Sequence, residues 1–314
     1  MDRVPPAWPL LPNSPPILFL INPHSGKANV AQLQQRIATL LGDCLNYVTH
    51  ELEAEASSNS RLATEIAAGR YGVVIAAGGD GTVREVIALL AQHNPQIPFG
   101  ILPLGTGNLL AKFYGIPEEL DAAIRHLLQA QPVPCSIMKV NQTYGALVAG
   151  IGTDAEIMAG APSQLKRTLG PLAYVLSAIQ VLFRQQRSLF FLRCDRRRPL
   201  LRYGNGVLVI QRNQFARAFL PFDLVENDNE DILDICVITP RHPLRPLAIV
   251  EKLMTGDYAA LPQDMTHYRA KQVRIRAFTR KPLQVDGDVI EGKDLQVQLL
   301  NNHLWVLASP HSRP

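Results

Sequence analysis

Short apolar runs alternate with amphipathic stretches through the first 130 residues. Residues 17–21 and Val73-Val74-Ile75-Ala76-Ala77 are runs of the kind that form strands buried in a parallel sheet. Leu33, Ile37, Leu40 and Leu41 share one face of a helix after the first run. A second strand near 45–48 is expected to end at Thr49, and a helix around 61–68 leads to the run at 73–77. Val83, Val86, Ile87 and Leu90 then fall at i, i+3, i+4 and i+7, one helical face. A strand at 99–102, a turn at 103–108 and a short helix from Leu109 follow. Leu120, Ile124, Leu127 and Leu128 mark another helix, with Pro117 placed near its first turn. Strands alternating with helices predict right-handed crossovers and a parallel sheet, hence an α/β fold.

The texture changes after about residue 131. Strand-like runs at 135–140, 146–149, 189–192, 207–210, 232–238, 273–277 and 295–299 are separated by few helical patterns, at 164–183 and 244–254. A mostly β second domain at 132–302 is expected beside an α/β domain at 17–131. Residues 1–16 hold six prolines and read as a loose arm rather than a signal peptide. No apolar run approaches the ~20 residues of a membrane span.

Composition narrows the function classes. With 47% hydrophobic and 18% charged residues the chain can bury a sizeable core, which excludes a disordered protein. A net charge of +4 suits anionic ligands or an anionic membrane surface and is too small to point to nucleic acid. Cys44, Cys135, Cys194 and Cys236 form no CxxC pair, so neither a disulfide framework nor a zinc site is expected, and a reducing cytosol is the default.

Three turns then fall at the carboxyl ends of parallel strands, the edge where open α/β sheets bind ligands. The first is Asn22-Pro23-His24-Ser25-Gly26-Lys27, where Ser25, Gly26 and Lys27 could bond phosphate oxygens. The second is Gly78-Gly79-Asp80-Gly81-Thr82. Its glycines permit positive φ and let a ligand come close to the main chain, and the helix start behind them offers N–H groups and partial positive charge to an anion. Asp80 would repel a phosphate unless a divalent cation lay between them. The third is Gly105-Thr106-Gly107-Asn108, where Thr106 or Asn108 could equally cap the next helix. Each turn alone is an ordinary βα connection; three on one edge argue for a ligand site.

Other motifs are weaker. Gly150-Ile151-Gly152-Thr153-Asp154-Ala155 matches a dinucleotide fingerprint but lacks the acidic residue expected ~20 positions on. It reads better as a tight turn carrying Asp154 into a cleft. Asp286-Gly287-Asp288 is a hairpin signal, or a turn presenting a general base. The acidic stretch 226–231 reads as a solvated loop or a hard-cation site. Arg193, Arg196, Arg197 and Arg198 read as a solvated cluster or an attractor of lipid headgroups.

In this order and spacing, the three turns resemble the diacylglycerol kinase catalytic-domain family, specifically its soluble bacterial lipid kinases. The 150–155 stretch, Gly170-Pro171-Leu172-Ala173-Tyr174 and Val285-Asp286-Gly287 extend the likeness. The resemblance implies a nucleotide-binding α/β domain joined by a returning strand near 303–310, and an antiparallel β-sandwich for the lipid substrate. It implies ATP and Mg²⁺ as cofactors. Nucleotide contacts would come from Asn22, Ser25, Gly26, Lys27, Thr49, Gly78, Gly79, Asp80, Gly81, Thr82, Glu85, Gly105, Thr106 and Asn108. Asp80 would act through Mg²⁺, Asp154 would join the polar network, and Asp288 stands where the family has a glutamate base. A second metal position falls on Glu230 and Asp231, in the stretch Glu230-Asp231-Ile232-Leu233-Asp234, where the family has Asp-Gly-Leu-Leu-Asp. The implied protein is cytoplasmic, touches an anionic membrane peripherally, takes a lipid alcohol, binds no nucleic acid and leaves a homodimer open. An NAD kinase and a lipid-binding protein with impaired catalysis are the alternative readings.

Overall fold

The structure is a computed structural model that describes residues 14–25, 30–42, 46–52, 56–152, 187–211, 232–239 and 265–309. The described residues form two compact units, one from residues up to 136 and from 301 onward, the other from 137–300.

The first unit is α/β. Its elements are β1 (Ile17–Ile21), α1 (Val30–Leu41), β2 (Tyr47–Glu51), α2 (Ala56–Ala67), β3 (Val73–Gly78), α3 (Asp80–His93), β4 (Phe99–Pro103), α4 (Leu109–Phe113) and α5 (Leu120–Gln129). The strands run parallel in the order β2-β1-β3-β4, with Ile21 opposite Ala77 and Gly78 opposite Pro103. Every residue of β1, β3 and β4 is buried, as their unbroken apolar runs require of strands covered on both faces. Val83, Val86, Ile87 and Leu90 are the buried stripe of α3. Each such side chain contributes about 1.5–3 kcal/mol when fully removed from water.

Two expectations shift here. The second strand begins two residues later than 45 and runs on to Glu51, so Thr49 sits in mid-strand. It is the edge strand, half exposed, and its apolar pattern is correspondingly thin. Pro117 lies outside α5, whose N-cap is Glu119; that carboxylate accepts from the backbone of Asp121 and Ala122.

The second unit is an antiparallel β-sandwich. β5 (Gln131–Val140) enters it and is followed by β6 (Thr143–Gly145), β7 (Val148–Ile151), β8 (Ser188–Cys194), β9 (Leu200–Gly204) and β10 (Gly206–Gln211). Then come β11 (Leu233–Ile238), β12 (Met265–Ala270), β13 (Gln272–Ala277), β14 (Leu283–Val285), β15 (Asp288–Ile290) and β16 (Asp294–Ala308). One sheet has the order β16-β13-β8-β9, the other β12-β11-β10-β7-β14-β15. Phe190, Leu192, Val273, Ile275 and Val297 from the first sheet meet Val207, Val209, Ile235 and Val285 from the second in one core. The last residues of β16 return to the first unit, where Val306 pairs with Phe99 in parallel. A single 15-residue strand thus replaces the separate run read at 295–299. β6, β9 and β12 escaped the sequence pattern because they are short or carry mixed polarity. The helical candidates at 164–183 and 244–254 lie outside the described residues. Among the described residues, no helix is long and apolar enough to cross a membrane.

Candidate active site

In the first unit, the turns after β1, β3 and β4 meet on one edge of the sheet. Asn22 continues the strand pairing through its N–H to Ala77 O at 3.1 Å, and Leu104 does so to Gly78 O at 2.9 Å. Side chains then cross-brace the turns. Asn22 Nδ2 donates to Thr82 Oγ1 at 3.1 Å, and Gly79 N donates to Ser25 Oγ at 3.3 Å. Thr82 is buried beneath them. Asp80 Oδ1 accepts the N–H of Leu109 at 2.7 Å, tying the second turn to the third. Asn108 closes that third turn on itself, donating to Gly105 O at 2.8 Å and accepting from Gly105 N at 3.0 Å.

Of the two freedoms that glycine offers these turns, the structure uses space and not positive φ. Gly79 has φ −92°, and Gly78 and Gly81 are also outside the positive-φ set. A Cβ on Gly78 would lie 2.2 Å from Thr82 Oγ1, and one on Gly105 would lie 2.6 Å from Gly79 Cα. A Cβ on Gly107 would lie 2.5 Å from Asp80 Oδ2. Contacts that short do not occur: Gly78 must lack a side chain for Thr82 to sit against it, and Gly105 for its turn to touch Gly79, whereas at Gly107 the end of the Asp80 side chain would have to shift. Gly81 differs: nothing lies within 4 Å of its Cβ position, at the first turn of α3. The left-handed residue of the cluster is Asn108, at φ 49°. Neither Thr106 nor Asn108 caps α4 with its side chain; the carboxylate of Asp80, 29 residues earlier in sequence, receives that helix's first N–H instead.

Asp80 is half-buried. Burial pushes its carboxyl above the ordinary value, against the backbone N–H groups of Leu109 and Asn108 and the charge of Lys112. Lys112 Nζ is itself held by Gly107 O at 2.9 Å and Glu118 Oε1 at 3.0 Å. Beside this cluster, at the ends of β1 and β2, Thr49, His50, Glu51, His24 and Gln34 line an open cleft of about 500 Å³. Gln34 Nε2 donates to Thr49 Oγ1 at 3.3 Å. Thr106 and Glu85 are exposed.

In the second unit, Asp286-Gly287 is the two-residue turn of the β14–β15 hairpin. Both central residues have positive φ, 46° and 97°, the type I′ geometry that favours Asp-Gly. The Asp286 carboxylate reaches across to β7, accepting from the N–H groups of Ala146 at 2.6 Å, Leu147 at 2.9 Å and Val148 at 2.8 Å. Asp288, the first residue of β15, is exposed. Asp234, at the end of the second predicted metal stretch, is fully buried with Oδ1 2.7 Å from His267 Nε2. Gly26, Lys27, Asp154, Glu230 and Asp231 lie outside the described residues. Among the described residues, no three His, Cys, Asp or Glu side chains gather where they could hold a metal ion.

The structure thus brings Asn22, Ser25, Gly79, Asp80, Thr82, Gly105 and Asn108 together. Sequence reasoning missed Gly107 as a contact surface, Lys112 as a neighbouring cation and Asp286 as a staple. For Asp286 the Asp-Gly signal located the turn, and nothing local indicated which amides the carboxylate would hold.

A parallel sheet with an antiparallel sandwich is also the fold of solved structures of other proteins. A crystal structure of a diacylglycerol kinase from Bacillus anthracis str. Sterne superposes with a TM-score of 0.68 at 19% identity, over 96% of this chain and 99% of that one. An NAD kinase from Archaeoglobus fulgidus in complex with ATP superposes with a TM-score of 0.52 at 10% identity, over 94% and 95% of the two chains. At those identities the likeness is one of fold. In sequence, residues 16–140 match the model of the diacylglycerol kinase catalytic domain. The diacylglycerol kinase of Bacillus subtilis (strain 168) is 25% identical over 278 residues, which cover 86% of this chain and 88% of that protein. Residues 16–140 thus match the diacylglycerol kinase catalytic domain, and the chain is similar to a bacterial diacylglycerol kinase over most of its length.

Proposed function

We propose that this protein transfers the γ-phosphoryl group of ATP to the hydroxyl of a lipid alcohol such as diacylglycerol. The observation that carries this reading is the cross-bracing of three strand-end turns around a helix start whose Gly81 faces open space. Main-chain N–H groups and the helix dipole at such an end suit a polyphosphate. Thr49, in the adjoining cleft, extends the nucleotide site.

A magnesium ion binds through one or two carboxylates together with phosphate oxygens. The carboxylate of Asp80 on this edge fits that donor set, and the ion would supply neutralising charge to the phosphates. Phosphoryl transfer depends mainly on positioning and on stabilising charge that spreads over the phosphate oxygens. The lipid oxygen bonds to the γ-phosphorus in line, the bond to the β–γ bridging oxygen breaks, and ADP leaves with that electron pair. Asp288 receives the hydroxyl proton. Such an enzyme works in the cytoplasm against a membrane surface.

Labelled ATP offered with diacylglycerol, a sphingoid base, phosphatidylglycerol and, separately, NAD tests the reading. Label is expected in diacylglycerol and absent from NAD. Label in NAD alone, or binding of lipid with no ATP consumed, overturns it.

A further inference from the structure

Strand alternation gives the β16-β13-β8-β9 sheet one face in the core and one outside it. Phe190, Leu192, Val273 and Ile275 point inward. Their neighbours Phe191, Arg193, Arg274 and Arg276 point outward, with Leu201 and Tyr203 on β9. The register makes this outer face continuous. Tyr203 lies opposite Leu189, Leu201 opposite Phe191, Phe191 opposite Arg276, and Arg193 opposite Arg274.

Its apolar half is unusually bare. Leu201 is 52% exposed, Tyr203 57% and Phe278 67%. Phe278 is held out on a pinned turn, with its N–H on Leu189 O at 3.0 Å and the next residue's hydroxyl on Ser188 Oγ at 2.8 Å. Its charged half is a shallow cleft of about 520 Å³ lined by Lys139, Arg193, Arg196 and Arg274. Arg274 is paired with Asp294 at 3.0 Å. Among the described residues, no acid pairs with Lys139, Arg193 or Arg196. The one acid lining the cleft, Asp195, spends Oδ1 on the N–H groups of Lys271 and Gln272, both at 3.0 Å.

We propose that this face docks the protein on an anionic lipid bilayer. Leu201, Tyr203 and Phe278 enter the boundary between headgroups and acyl chains, while Lys139, Arg193 and Arg196 meet headgroup phosphates. Apolar area sets such binding together with attraction between basic side chains and anionic lipid. Charge selects this occupant over a second copy of the chain, because a contact centred here would bring two sets of unpaired cations together.

Flotation with vesicles of phosphatidylcholine alone, and of phosphatidylcholine mixed with phosphatidylglycerol, tests the proposal on the full chain. Nucleotide and acceptor are left out, so the outcome is independent of the kinase reading. Binding is expected to the anionic vesicles only and to weaken with salt. Arg193→Ser with Arg196→Ser should weaken it on the order of tenfold or more. Leu201→Ser with Phe278→Ser should weaken it similarly, with the melting temperature unchanged in both. Should a double variant melt early, Phe278→Ser alone supplies the same readout. Binding indifferent to lipid charge, or unchanged in the variants, overturns the proposal. So does a dimer in sedimentation equilibrium that these substitutions dissociate while vesicles go unbound.

Discussion

Two aspartates on tight turns, Asp80 and Asp286, use the same device to different ends. Each sends its carboxylate to backbone N–H groups of a segment distant in sequence. Asp286 takes three such groups, from Ala146, Leu147 and Val148, and locks the β14–β15 turn onto the start of β7. Asp80 takes that of Leu109 at 2.7 Å, beside Lys112, in a setting whose burial opposes its charge. A carboxylate surrounded by amides is a fastener. One that keeps charge in reserve at a glycine-lined edge is placed to act on a ligand. The contrast gives each turn a distinct failure when its aspartate is removed.

The largest effect is expected at Asp80. Asp80→Ala should abolish turnover in the ATP assay while lowering stability by only about 1 kcal/mol, the scale of a lost helix cap. Turnover that survives would reduce Asp80 to a fastener and erase the contrast. Asp286→Ala should do the reverse. Three amides lose their acceptor, and an unmet amide costs about 1–3 kcal/mol where water cannot reach it. A loss of about 3 kcal/mol is expected in urea denaturation, with ATP affinity unchanged in the folded fraction. Asp288→Asn, two residues on, separates turn from chemistry. Its side chain is exposed, so stability should hold, while kcat falls on the order of a hundredfold and ATP binding is spared. Undiminished kcat would remove Asp288 as the base.

These contrasts also show what the sequence could and could not reveal. The strands β1, β3 and β4 were legible because unbroken apolar runs have few alternatives. The mostly β character of the second half was legible from its many short runs, whereas its antiparallel sandwich came from the family resemblance. β2 was misplaced because an edge strand needs no continuous apolar pattern. The glycine turns were found, but of the two reasons for them only close approach to the main chain holds, and what approaches is a neighbouring turn. Positive φ is a local property that composition suggests, whereas the need of Gly105 to clear Gly79 exists only after β3 and β4 pair. The tie from Asp80 to Leu109 was hidden for the same cause, since 29 residues separate the partners.

That account of the glycines can be tested as a pair. Gly105→Ala puts a methyl 2.6 Å from Gly79 Cα and 2.9 Å from Asn108 Oδ1. It should cost about 1–3 kcal/mol and raise KM for ATP as the turns part. Gly81→Ala meets nothing within 4 Å and replaces a helical glycine, so stability should rise by about 0.5–1 kcal/mol. Its methyl would instead occupy the space assigned to phosphate, so ATP affinity should fall without loss of fold. If Gly81→Ala binds ATP normally, the open space beside α3 is not where the nucleotide lies.

The smallest effect bears directly on whether Asp80 keeps its charge in reserve. Its carboxyl is raised above the ordinary 3.8 chiefly by burial. The folded state therefore takes up a proton at a higher pH than the unfolded chain does. Stability linked to this group is fully present below the ordinary value and is lost as pH rises through the raised one. Asp80→Asn preserves an acceptor for Leu109 and removes the charge. Relative to the parent protein it should gain stability as pH climbs across that window, then stay level toward neutrality. Urea denaturation of the two proteins over a pH series reads the difference. A constant offset at every pH would mean that solvent or Lys112 already relieves the charge, and that Asp80 resembles Asp286 more closely than their partners suggest.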